Sequence, residues 1–89
     1  TGEDQMGSDA IQLADLFVHK DSLIVGKSIS EFGKRIDELI IVGVRKAEGE
    51  FQFKPSRKYQ FQEGDCLITM GKRSKYQNAI SELKLSTHV

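Results

Sequence analysis

The segment Leu39–Val44, reading LIIVGV, constrains this chain more than any other stretch. It has the length of a strand, is mostly β-branched, and lacks the polar alternation of a half-buried strand. Such a run predicts an interior strand covered on both faces. Gly43 leaves a gap in it, where another backbone or a ligand can approach closely.

A strand of that kind needs covering layers, and the chain has 89 residues to supply them. That is room for one domain, which buries roughly 60–65% of the surface its unfolded form exposes. A deep catalytic cleft is hard to build at this size unless a second copy contributes walls. A homodimer is therefore the expected state.

The other segments fit around that strand. Ile11–Val18 reads as an opening strand, and Leu23-Ile24-Val25 follows, closed by Gly26. Ser28 and Glu31 form a capping box, each side chain serving the other residue's backbone N–H. Ile29, Phe32 and Ile36 then fall on one face of a helix. Gly33 weakens that helix by about 1 kcal/mol relative to Ala, so it is expected to be short. Glu48-Gly49-Glu50 reads as a turn. Phe51 and Phe53 alternate with polar residues as a half-buried strand, and Pro55 ends it or lies on an edge. Tyr59 and Phe61 alternate again before Glu63-Gly64-Asp65, a further turn. Cys66–Met70 is the last strand, ended by Gly71. Ser74 and Gln77 give a second capping box, and Tyr76, Ala79, Ile80 and Leu83 form the apolar face of a closing helix.

The order is β-α-β-β-β-α. It predicts an α+β fold, a small and mostly antiparallel sheet with helices packed on it. Residues 1–9 read as a linker or expression remnant, 10–85 as the domain and 86–89 as a tail. The whole protein is then expected to continue upstream of Thr1.

Charge narrows the function. The 13 basic and 13 acidic residues cancel, which argues against a nucleic-acid binder with a broad basic face. No apolar run approaches the roughly 20 residues of a membrane span, and no secretory signal is visible. The lone Cys66 cannot make an intramolecular disulfide, so the chain reads as intracellular.

Enzyme chemistry has little support. GxSxG, HExxH, P-loop and CxxC patterns are all absent from the sequence. Cys66 lies in an apolar run and reads as an inert core thiol. His19 with Asp21 is too small a ligand set for zinc or calcium, and Asp37-Glu38 reads as a solvated turn. Neither catalytic residues nor a required cofactor are expected. Lys72-Arg73 sits at the start of the last helix, where the dipole disfavours cations. A solvated loop is the plainer reading there. The cluster that suits a ligand is Arg45-Lys46, after the central strand, with Lys54-Pro55 on the next. Arg forks a phosphate while Ile, Val or Pro faces cover a flat ring, so a nucleotide fits this mix.

The order and spacing of these segments resemble a known family. The stretch Asp21-Ser22-Leu23-Ile24-Val25-Gly26-Lys27-Ser28-Ile29-Ser30-Glu31 is followed by Leu39–Arg45. Phe53-Lys54-Pro55, Gly64-Asp65-Cys66-Leu67 and Gly71 come after it. Together they look like the TrkA-C domain, the C-lobe of RCK regulators of potassium conductance, over about residues 10–84. One departure is the longer stretch between Pro55 and Gly64, containing Arg57, Lys58 and Tyr59.

The resemblance implies a regulatory domain on the cytoplasmic face of the bacterial inner membrane. It would belong to a potassium channel or transport protein and gate transport by rearrangement of a homodimer. The partners implied are a second copy and an upstream membrane-spanning part or RCK N-lobe, without nucleic acid and without direct membrane insertion of this segment. In some similar domains the ligand is cyclic di-AMP, held at the two-fold interface by the Arg-ending and Pro-bearing strands. Carried onto this chain, those positions are Ile41, Arg45 and Pro55, with Lys46 and Lys54 beside them. Two alternatives stand next to this reading. One is a structural dimerisation module without its own ligand; the other is a regulatory domain of a non-potassium antiporter or permease.

Overall fold

The computed structural model describes residues 9–88. The linker expected at the N-terminus lies outside the described residues apart from Asp9. Within them run β1 (Ile11–Phe17), α1 (Ile29–Arg35), β2 (Leu39–Arg45), β3 (Phe51–Phe53), β4 (Cys66–Lys72) and α2 (Arg73–Leu83). The strands form one antiparallel sheet in the order β1-β4-β2-β3. The expected α+β architecture and element order are what the chain adopts.

Both helices pack on one face of the sheet. Leu16, Val44 and Leu67 point into that face and are fully buried, together with Phe61, Ala79 and Leu83. The capping box at α1 forms as expected: Ser28 Oγ accepts from Glu31 N–H at 3.1 Å, and Glu31 accepts from Ser28 N–H at 3.0 Å. Phe32 and Ile36 drop from α1 into the core. Tyr76, Ala79 and Leu83 do the same from α2.

Three expectations need correction. First, β2 is an interior strand but is covered on only one face. Leu39 is buried and Ile41 half-buried beneath the helices, whereas Ile40 is 63% exposed on the other side. Nothing in a continuous apolar run states that the chain has layers for one face only. Second, the gap at Gly43 is filled from within. A Cβ built there would lie 2.4 Å from Phe51 Cζ, so the Phe51 ring occupies that space. Third, the second capping box does not form. β4 runs straight into α2, Lys72 takes the cap position, and Ser74 lies inside the first turn. The carboxylate of Asp9 serves this helix start instead, accepting from Ser74 N–H at 3.3 Å and Ser74 Oγ at 2.9 Å. Those two bonds hold the Asp9 carboxyl below its ordinary value.

Long-range backbone bonds fix the irregular segments. Gly26 N–H donates to Phe61 O at 2.8 Å, and Phe61 N–H donates to Lys27 O at 2.9 Å. Past α2, Ser86 pairs with Phe17 on the free edge of β1.

Candidate functional site

The site arises from the shortness of β3. That strand pairs only with Gly43–Arg45, so the first half of β2 has no strand on its outer edge. A bulge between Ile41 and Gly43 bends β2 at this point. Helix α1 crosses nearby. Between α1, the bare part of β2 and the chain after β3 lies an open groove of about 700 Å³.

Its floor is apolar, with Ile40, Ile41, Val42, Phe53 and Pro55 among the lining residues. Its rim is cationic, carrying Lys34, Lys54 and Arg57, and none of the described lining residues is acidic. Arg57 is held in place from two directions. Its guanidinium donates to Ser30 Oγ at 3.4 Å, and its carbonyl accepts from Ser30 N–H at 3.0 Å. Lys54 is left-handed, with φ of 49°, immediately before Pro55. A non-glycine residue there costs roughly 1–2 kcal/mol, and the following proline disfavours helical backbone at that position further. The bond from Lys54 N–H to Val42 O, 2.9 Å, helps hold this turn. Strain of this kind is concentrated where a side chain must be aimed.

The residues singled out from sequence separate into two groups. Ile41, Lys54 and Pro55 line the groove. Arg45 and Lys46 lie at the far end of β2 and are engaged elsewhere. The Arg45 guanidinium is 5.3 Å from the Phe51 ring centroid, and Lys46 Nζ is 5.4 Å from that of Tyr59. Sequence reasoning missed Arg57, Ser30 and Lys34 as groove residues. A signal existed for Arg57, because it lies in the lengthened stretch after Pro55.

Other reactive groups are tied into the fold. Cys66 is buried, and burial pushes its thiol up; the Asp15 carboxylate adds to this and the Arg45 charge opposes it. Asp65, 2% exposed, accepts from Tyr59 Oη at 2.6 Å and Gln62 N–H at 2.9 Å. Burial, with Asp65 next to it, pushes the Tyr59 phenol well above its ordinary value. Among the described residues, no helix is long and apolar enough to cross a membrane.

A four-stranded antiparallel sheet with two helices on one face, and an open groove between α1, β2 and the chain after β3, make this a small α+β domain. The TrkA-C domain profile matches residues 13–84, and the chain belongs to that family of typically non-catalytic regulatory domains. Among solved structures it resembles the RCK_C domain dimer of S. agalactiae BusR in complex with c-di-AMP. The identity is 25% and the TM-score 0.68, over 78% of this chain and 91% of that one. Among curated proteins, none matches.

Proposed function

We propose that this domain is a ligand-sensing module that works as a homodimer and takes a nucleotide-type anion in the α1/β2/β3 groove. The observation that carries the reading is the pairing of an apolar floor with three cations and no acid among the described lining residues. Such a floor covers a base, while Lys34, Lys54 and Arg57 neutralise phosphate. Support for a cyclic dinucleotide comes from the BusR domain, which is a dimer with c-di-AMP bound. The link to a potassium channel or transporter at the cytoplasmic membrane face rests on the family resemblance. Regulation would follow from differential affinity: a ligand favouring one dimer arrangement shifts the equilibrium by about 1–3 kcal/mol.

A second reading has its own observation. Arg45 and Lys46 lie over their own aromatic rings rather than over the groove. That arrangement suits a dimerisation module without a ligand.

Thermal shift with cyclic di-AMP, ATP and NADH separates the two. A ligand at 100 times its dissociation constant adds about 2.7 kcal/mol of stability. Lys54→Ala and Arg57→Ala should reduce the response to a true ligand, and Arg45→Ala should leave it intact. Silence toward every compound removes the nucleotide reading and leaves the dimerisation module.

A further inference from the structure

Helix α1 separates two cavities. At about 3.6 residues per turn, Ile29, Ser30 and Gly33 share one side of it and line the groove. Glu31 and Arg35 share the opposite side and line a second, smaller pocket of about 240 Å³. Leu23, Ile24 and Lys27, from the segment between β1 and α1, complete its wall. Phe32 and Lys34 fall on the two flanks between those sides, and both residues line both cavities.

The fold fixes the walls of this pocket. Ile24 and Phe32, 2% and 1% exposed, form its apolar floor. Lys27 N–H donates to Ile24 O at 2.8 Å and Leu23 N–H donates to Leu83 O at 2.9 Å, which pins the turn facing α1. Three cations, Lys27, Lys34 and Arg35, meet one acid. That acid, Glu31, is committed to the capping box through Ser28 N–H. Among the described residues the one ion pair joins Lys75 and Glu38, so the three cations have no carboxylate partner there. The helix dipole accounts for Lys34 and Arg35 in the last turn of α1. It gives no reason for Lys27, which precedes the N-cap Ser28.

We propose that this pocket binds a small amphiphilic anion, a phosphate or carboxylate on a short apolar body. Its volume matches about eight waters of liquid, which limits the occupant to about ten non-hydrogen atoms. The apolar part rests on Ile24, Phe32 and Leu23, and the anionic end lies between Lys27 and Arg35. Lys34, on the flank of α1, can turn its charge to either cavity but serves one at a time. An anion in the pocket therefore weakens a nucleotide-type anion in the groove, and by linkage the groove ligand weakens the pocket ligand by the same factor. The coupling rests on the groove reading above; the pocket stands without it.

Amide chemical-shift titration of the 89-residue chain with butyl phosphate tests the proposal, with inorganic phosphate and butanol as controls. Butyl phosphate should shift the amides of Leu23–Lys27 and Glu31–Arg35 saturably in the millimolar range, and each control should bind at least tenfold more weakly. Lys27→Ala and Arg35→Ala should each weaken butyl phosphate at least threefold, and Arg35→Lys should recover part of the loss. Arg57→Ala, confined to the groove, should leave it unchanged. Absence of saturation, butanol binding as tightly as butyl phosphate, shifts confined to the groove, or indifference to both alanine variants overturns the site. Saturating butyl phosphate should raise the dissociation constant of cyclic di-AMP at least threefold, and an unchanged value overturns the coupling alone. A chain that binds butyl phosphate but no cyclic di-AMP removes the groove reading and its coupling, and leaves the pocket.

Discussion

Tyr59→Phe removes one oxygen and nothing else. The ring stays against Phe61, edge-on with centroids 6.0 Å apart. What is lost is one of two hydrogen bonds to Asp65, a carboxyl that is 2% exposed. A hydrogen bond to a charged group contributes about 1.5–3 kcal/mol, and the cost of leaving a buried acceptor short of a donor falls in the same range. With each kcal/mol worth roughly 4–8 °C in a domain of this size, Tm should fall by about 10 °C. Urea and thermal melts followed by circular dichroism at pH 7 read the change.

The same pair predicts an alkaline limb. Tyr59 has a folded-state value raised above its unfolded value of 10. Its contribution is therefore fully present below pH 10 and lost as pH climbs toward the folded value. Wild-type stability should decline above pH 10, and the decline should be shallower in Tyr59→Phe. A loss under about 0.5 kcal/mol at pH 7, within the noise of an ordinary surface substitution, would refute the reasoning.

Three further outcomes follow from packing and burial. Gly71→Ala should cost about 1–3 kcal/mol by overpacking, since its Cβ would lie 2.7 Å from Glu38 O and 2.9 Å from Leu39 Cδ1; Gly33→Ala, with nothing within 4 Å, should be neutral or stabilising by up to about 1 kcal/mol in denaturant melts. Cys66 should react with iodoacetamide at pH 8 at least tenfold more slowly than free cysteine, and fully once the chain is unfolded; rapid labelling of the native domain would contradict its burial.

Features written within a few residues were legible in the sequence. The Ser28–Glu31 box, the apolar face of α2 and the Glu63-Gly64-Asp65 turn all depend on short spacing. Features that depend on distant partners were not. Asp9 displaces the Ser74–Gln77 box from 65 residues away. Arg57 reaches the groove because the chain after Pro55 folds back on the start of α1 through bonds from Ile29 and Ser30 N–H. The groove itself depends on β3 stopping after Phe53, which Pro55 only hints at. Of the positions the family pattern points to, Ile41 and Pro55 line the groove, as does the neighbouring Lys54, while Arg45 lies at the opposite end of the same strand.

Strand β4 carries a consequence for how the domain assembles. It lies between β1 and β2 and supplies both of their main pairings, yet its sequence follows theirs. Until the segment from Cys66 onward is made, β1 has no strand partner and β2 has only the short β3. The sheet is therefore expected to close late, since non-local strand pairing of this kind slows folding relative to local contacts. A domain stitched together through one central strand also has no natural seam, so it is expected to unfold as a single unit.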